Sequence, residues 1–286
     1  MRLITYEAGA VQRIGALKGD LVIDLGHIAP DMLTLIAGGP ALLDQAQSAV
    51  AAASTGLPLD TIQLRAPIPR PRKNIVCLGM NYAAHAYESL RAKGLPETLP
   101  AHPVFFTKAV TAVNHPNAPI PLHANVTSKL DWEVELAFVL GRTALNVAPA
   151  DALGAIFGYT ILNDISARDI QSRHQQFFRG KSLDGTAPFG PWIVTADEIP
   201  DPHALGLRLR VNGITHQAST TADLIFTIPT IIATLSAGMT LEPGDIISTG
   251  TPSGVGMGMV PQVYLKAGDQ IEAEIDGIGI LRNTVQ

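Results

Sequence analysis

A single cysteine among 286 residues leaves no partner for an intramolecular disulfide and rules out a cysteine-rich metal site. That residue, Cys77, lies in the apolar run Asn74-Ile75-Val76-Cys77-Leu78-Gly79, where a buried, inert thiol is expected rather than a nucleophile. Basic stretches are also missing. Lysine and arginine number 20 against 25 acidic residues, for a net charge of −5, and the charges are scattered, so nucleic acid is not an expected partner. No stretch has the ~18 uninterrupted apolar residues of a membrane span; the segment 225–237 is too short and carries Pro229. The opening Met1-Arg2-Leu3-Ile4-Thr5-Tyr6 lacks the apolar core and cleavage site of a signal peptide, so a soluble, cytoplasmic protein with no membrane partner is expected. Several catalytic signatures are absent as well. There is no His-Glu-x-x-His, and Ser253 is not set in Gly-x-Ser-x-Gly. The glycine-rich run 250–258 lacks the Gly-Lys-Ser/Thr ending of a phosphate loop, and a close-packed active-site turn is the better expectation for it.

What is present is a compact, well-buried chain, 47% hydrophobic and 16% charged. Its first ~65 residues read as a small strand meander followed by a helix over 32–53. The prolines at 67, 69 and 71, interleaved with Arg70 and Arg72, fix φ and remove backbone donors, as a stiff linker does. A boundary near residue 70 is expected, with a small N-terminal α/β domain at 1–70 and a larger domain at 71–286. Strands and tight turns dominate the second part. Asn212-Gly213 and Asp276-Gly277 predict type I′ hairpins, because both central positions need positive φ. Further turns at Pro243-Gly244-Asp245 and Ala267-Gly268-Asp269 should each lead into a strand. Helices are expected over about 149–156 and 222–237, the latter kinked or divided at Pro229 and stopped at Gly238. Strand character is expected again over 259–265. The predicted class is α+β: a β-rich mixed roll or barrel with peripheral helices.

Residues 130–140 read as one strand, on which Glu133 and Glu135, two positions apart, share a face. Carboxylates about 7 Å apart along a strand repel, and in a core they need a cation or a proton. A third, Asp164, stands in the apolar segment 158–165. Three carboxylates form an all-oxygen set that suits Mg²⁺, Mn²⁺ or Ca²⁺ better than Zn²⁺. Read alone, the pair is more simply an edge strand with a solvated acidic face than a set of ligands. His85 and Glu88, at i and i+3, would be neighbours on a helical turn, where a carboxylate orients an imidazole and raises its basicity; the plain alternative is an exposed ion pair. In Arg179-Gly180-Lys181-Ser182 two cations flank a glycine that permits close backbone approach.

Taken together, these clusters resemble the fumarylacetoacetate hydrolase family over residues 70–286. The matching elements are Asn81-Tyr82-x-x-His85-x-x-Glu88, Asp131-Trp132-Glu133-Val134-Glu135-Leu136, Asn163-Asp164-Ile165-Ser166-Ala167-Arg168-Asp169-Ile170-Gln171, Arg179-Gly180-Lys181-Ser182, and the run from Ser248 through Thr251 to Gly256. The resemblance implies a β-roll catalytic domain, commonly homodimeric, with Mg²⁺ or Mn²⁺ held by Glu133, Glu135 and Asp164. It implies 2-oxo acid substrates, usually 2,4-dioxo acids, whose carbon–carbon bond is hydrolysed to pyruvate and a carboxylic acid. Relatives that decarboxylate or isomerise supply an alternative, of oxaloacetate or hydroxyheptadienedioate type, and a non-catalytic 2-oxo-acid-binding protein is a further one. On the leading expectation His85, oriented by Glu88, activates water, while Lys181 with Arg168 and Gln171 stabilises oxyanion charge. Thr251 would hold the substrate carboxylate, and Lys108 would stand at the site rim. Residues 86–100 are expected to order as a lid over substrate. Two departures stand out: the small run 183–187 after the lysine motif, and an amide, Asn81, where some relatives carry an aspartate ligand.

Overall fold

The computed structural model describes residues 1–9, 11–92 and 94–286, so Lys93 of the expected lid lies outside the described residues. The N-terminal meander forms as read: β1 (Arg2–Ala8), β2 (Val11–Lys18) and β3 (Leu21–Asp24) pair antiparallel in order. The single helix expected over 32–53 is two, α1 (Met32–Ala37) and α2 (Gly39–Ala52). The break falls at Gly38-Gly39, where Gly39 takes φ +61° and Pro40 sits in the first turn of the new helix. Short strands β4 (Leu57–Pro58) and β5 (Gln63–Arg65) follow.

Next come β6 (Ile75–Gly79), α3 (Ala83–Ala92), β7 (Val104–Lys108) and the two-residue strands β8 (Val113–Asn114), β9 (Pro119–Ile120) and β10 (Leu130–Asp131). The centre is the hairpin of β11 (Val134–Leu140) and β12 (Ile156–Asn163), followed by β13 (Ser166–Ala167), α4 (Arg168–Arg173), α5 (Phe178–Lys181) and β14 (Ala187–Thr195). The chain ends with β15 (Gly206–Val211), β16 (Ile214–Thr220), α6 (Ile228–Ser236), β17 (Ile246–Ser248), β18 (Gln270–Ile275) and β19 (Gly279–Val285).

One 12-stranded sheet runs β4-β3-β2-β1-β14-β12-β11-β17-β6-β7, with β5 and β8 on side branches; a five-stranded sheet runs β16-β15-β18-β19-β9. Neither sheet closes on itself, so the protein is a β-rich α+β roll and not a closed barrel. Hydrogen bonds join the two sides of residue 70, since β1 pairs with β14. Every residue of β11 and β12 is buried, as expected of strands covered on both faces. Leu136, Phe138 and Leu140 enter a core shared with β15, β18 and α6, whereas Ala137 and Val139 enter a second core with Leu3, Phe106 and Phe189. Glu135 has the parity of the second group.

Several local expectations are corrected. Asn212 and Gly213 both have positive φ, as a type I′ turn needs, but β18 and β19 close with Ile275 opposite Gly279, a three-residue loop with only Gly277 of its residues left-handed. The helix expected near 149–156 is two 3₁₀ turns, Pro149–Asp151 and Leu153–Ala155. Pro229 opens α6 instead of dividing a longer helix, because a proline fits where no N–H is needed. Residues 259–265 form no strand. Among the described residues no helix is long and apolar enough to cross a membrane.

Candidate active site

The strand expected over 130–140 is interrupted at Trp132-Glu133. Asp131 pairs with Ser166 and Val134 with Asn163, so the ladder resumes in the same register and leaves Trp132-Glu133 facing Asp164-Ile165 outside it. Local bonds fill the gap: the Asp164 N–H donates to the Glu133 carbonyl (2.8 Å) and the Glu133 N–H to Asn163 Oδ1 (3.0 Å). Glu133, Glu135 and Asp164 thereby converge, each buried, with ligand oxygens all within 4.8 Å of one another.

Three buried cations meet this cluster. Lys181 Nζ lies 2.7 Å from both Glu133 Oε2 and Asp164 Oδ2, and Lys108 Nζ donates to Asp164 Oδ1 (2.7 Å) and to the Ile165 carbonyl (3.0 Å). Arg168 Nη2 is 2.6 Å from Glu133 Oε1. Gly180 permits this arrangement, since a Cβ there would stand 2.6 Å from the Gln171 nitrogen and push α5 off α4. Burial alone would raise the Glu133 carboxyl, but Lys181, then Arg168 and His85, hold it well below the usual carboxylate range. Burial disfavours the Lys181 ammonium, yet Asp164 and Glu133 raise its pKa, so it stays a cation. Glu135 differs. No ion pair reaches it among the described residues, and burial followed by repulsion from Asp164 and Glu133 drives its carboxyl far up. Its hydrogen bonds, from Ser248 Oγ and the Gly250 N–H, both fall on Oε2. A buried, uncompensated carboxylate beside two others, all with oxygen donors, fits a hard divalent cation.

The glycine-rich run after β17 fixes the carboxylates around the cluster through its backbone donors. Gly250 serves Glu135 (3.2 Å), Gly254 serves Glu88 Oε1 (3.0 Å), and Gly256 and Met257 serve Asp131 (2.7 and 3.0 Å). Gly254 has φ +102°, and a Cβ there would lie 1.9 Å from the His216 carbonyl, so only glycine fits. On α3, His85 Nδ1 is 3.2 Å from Glu88 Oε2, and its Nε2 is 3.4 Å from Ser89 Oγ.

A cavity of ≈ 160 Å³ opens over the cluster, small beside the ~300–1,000 Å³ of drug-sized ligand sites. His85, Glu133, Glu135, Arg168, Gln171, Lys181 and Thr251 line it, and Leu78, Met80, Leu90, Leu95, Phe106, Phe177 and Met257 form the apolar remainder. Leu90 and Leu95 belong to the segment expected to act as a lid. Glu88 stands behind His85, and Lys108 lies wholly buried beneath Asp164 and not at a rim. The Thr251 hydroxyl donates to the Val134 carbonyl (2.9 Å) and accepts from Gln217 Nε2 (2.8 Å), which ties it to the scaffold. Asn81 bonds the Phe226 N–H (2.7 Å) and the Thr249 carbonyl (2.8 Å), so its amide braces two loops. Cys77 is fully buried, and burial, with Asp164 and Glu135 nearby, pushes its thiol far up.

Sequence reading assigned no role to Asp131, Ser248 or Gln217. Asp131 anchors Arg168 Nε at 2.8 Å, and its signal was the same two-residue spacing that marks Glu133 and Glu135. Gln217, which takes the Val134 N–H at 2.9 Å, carries no sequence signal, because its partners are distant in the chain.

The family described as fumarylacetoacetate (FAA) hydrolase C-terminal matches residues 74–286. The chain belongs to the fumarylacetoacetate hydrolase family. It is an enzyme of that family, with a carboxylate cluster suited to a divalent metal. Among relatives, the oxaloacetate tautomerase YisK of Bacillus subtilis (strain 168) is 49% identical over 227 residues, covering 79% of this chain and 74% of that protein. A fumarylacetoacetate hydrolase structure from Exiguobacterium antarcticum is 40% identical, with TM-score 0.84 over 100% of this chain and 99% of that one. The structure of maleylpyruvate hydrolase from Sphingobium sp. SYK-6, in complex with manganese(II) and pyruvate, is 32% identical, with TM-score 0.81 over 100% and 98%.

Proposed function

We propose that the protein is a divalent-cation-dependent enzyme that shifts a proton at the carbon beside the carbonyl of a 2-oxo acid, interconverting keto and enol forms of an oxaloacetate-type substrate. The observation that carries this reading is the buried carboxylate triad, two of whose members, Glu133 and Glu135, open on the same small cavity as His85. Glu133, Glu135 and Asp164 would hold Mg²⁺ or Mn²⁺, with Ca²⁺ accepted by the same donors, and the bound ion would supply Lewis-acid polarisation of the substrate oxygens.

The rest is the work of this chain's own side chains. With Nδ1 protonated toward Glu88, His85 keeps Nε2 unprotonated, held only by a long contact with Ser89 Oγ (3.4 Å), and this atom takes the proton from carbon and returns it to oxygen. Lys181 and Arg168, held as cations by their carboxylate partners, stabilise negative charge on the substrate, and Gln171 accepts from Arg168 Nη1 (3.0 Å) and so fixes that guanidinium. The apolar wall of Leu90, Phe106 and Phe177 keeps bulk water from the exchanging proton. The 49% identity to an oxaloacetate tautomerase supports this reaction. Hydrolysis of an acylpyruvate, with His85 activating water, is the second reading, supported by the likeness to the maleylpyruvate hydrolase structure. A cytoplasmic homodimer is part of the proposal, checked by light scattering.

The test follows the decay of enol-oxaloacetate absorbance with Mg²⁺ or Mn²⁺, alongside pyruvate release from a panel of acylpyruvates. Enol decay should accelerate, fall to the buffer rate with chelator, and drop roughly 100-fold or more in His85→Ala. Buffer-rate enol decay together with metal-dependent pyruvate release would replace the tautomerase by the hydrolase; silence in both assays would remove both.

A further inference from the structure

Met257 stands where three hollows meet. It lines the ≈ 160 Å³ cavity over the carboxylates, a ≈ 620 Å³ hollow beside α3, and a ≈ 170 Å³ cavity on the far side of Arg168 and Gln171. The wall between the first and the last consists of Arg168, Gln171 and Met257, the residues common to both. Arg168 is immobilised by Asp131 (2.8 Å) and Glu133 (2.6 Å), and Gln171 by Arg168 (3.0 Å). The Met257 main chain is equally fixed: its N–H donates to Asp131 Oδ2 (3.0 Å) and its carbonyl accepts from Gln262 Nε2 (3.0 Å). Gly256, just before it, is wedged so closely that a Cβ would lie 1.9 Å from the Val263 carbonyl. The part of this wall free to move is one unbranched thioether.

The cavity behind it is polar. Lys129, Asp169, Ser172, Gln262 and Tyr264 line it, with Lys129 Nζ 5.7 Å from the Tyr264 ring centre. Among the described residues no carboxylate forms an ion pair with Lys129, and the Asp169 carboxylate of the same lining is taken up by Thr127 Oγ1 and the Ser128 and Ile170 N–H groups, so the exposed Lys129 ammonium is the charge left unmatched beside hydroxyl and amide neighbours. That chemistry receives a carboxylate.

We propose that Met257 sets the chain length of the 2-oxo acid accepted, and that the Lys129 cavity is a latent subsite for a distal carboxylate, closed off by this side chain. The proposal rests on the 2-oxo-acid reading of the site. It makes Met257 a specificity-determining residue: the site cavity admits a short acid, and shortening residue 257 joins it to the space behind.

The experiment compares kcat/KM for oxaloacetate with that for a seven-carbon 2-oxo diacid and for a neutral-tailed analogue of equal length, in the full chain with Mn²⁺. Met257→Ala should raise the long-to-short ratio about tenfold or more. Adding Lys129→Met should cancel the gain for the diacid and leave it for the neutral tail. Met257→Val serves the same comparison if the alanine variant does not fold. Calorimetric binding of oxalate with Mn²⁺ separates the two readings. Absent oxalate binding by the unmodified protein defeats the 2-oxo-acid site itself. Intact oxalate binding with a length ratio unmoved in Met257→Ala and Met257→Val defeats the role of Met257, and a diacid gain indifferent to Lys129→Met defeats the subsite.

Discussion

Glu135 carries the charge that its neighbours leave unbalanced, and its consequences are local. Its carboxyl is pushed far above the usual 4.5 by burial, Asp164 and Glu133, so in the metal-free protein the folded state holds a proton that the unfolded chain releases. The sign follows from that difference. Glu135 favours the fold fully below pH ~4.5, and this contribution is lost as pH rises from there toward the raised folded value. Glu135→Gln should therefore flatten the alkaline-going fall in denaturant midpoint measured with chelator present. The same variant should weaken Mn²⁺ binding about tenfold or more by titration calorimetry, since an amide oxygen replaces an anion. An unchanged pH slope together with unchanged Mn²⁺ affinity would contradict both. At this scale much was readable from the chain alone. Spacing brought Glu133 and Glu135 to one place and chemistry suggested Asp164, and the structure does bring the three together. The depth of Lys108 was not readable, because its depth depends on which strand lies over it, and a sequence does not print that.

Elements show the opposite balance of local and tertiary control. The run 250–258 was readable as a close-packed turn, but not as a rack of N–H donors for Glu135, Glu88 and Asp131, whose positions are set by three other segments. Gly254→Ala tests that role. A methyl group 1.9 Å from the His216 carbonyl must displace the loop, withdrawing the donor that holds Glu88 behind His85. The expected outcome is a kcat loss of about tenfold or more with a stability loss of ~1–3 kcal/mol, read from turnover and urea midpoints. Full activity in that variant would show that Glu88 needs no such anchor. The β1–β3 meander and the Asn212-Gly213 hairpin followed from alternation and turn chemistry, which act over a few residues. The interruption at Trp132-Glu133 leaves no mark in the sequence, because both flanks are good strand and resume in register. The helix expected near 149–156 failed for a related reason: composition allowed it, and the chain instead takes two short 3₁₀ turns before entering β12.

Across the whole molecule, we propose that the boundary near residue 70 separates two units, 1–70 and 71–286, that fold as one cooperative block. Residues 3 and 4 are wholly buried, Leu3 packs in the core that holds Phe189, and β1 occupies the edge of β14. A fragment 71–286 should then expose that edge and aggregate in size-exclusion chromatography, whereas a monodisperse, active fragment would show that the second unit stands alone. The overall class was readable from strand and turn frequency; the joining of the meander to the central sheet was not, since β1 and β14 lie almost 200 positions apart. The hairpin of β11 and β12 has one more consequence. Glu135 hangs from one arm, and Glu133 and Asp164 from the unpaired residues just beyond the arms' open end, so an ion captured there would clasp the middle of the molecule while the margins fray. Amide exchange on those two arms would slow most on adding Mn²⁺, ahead of any change in the outer strands.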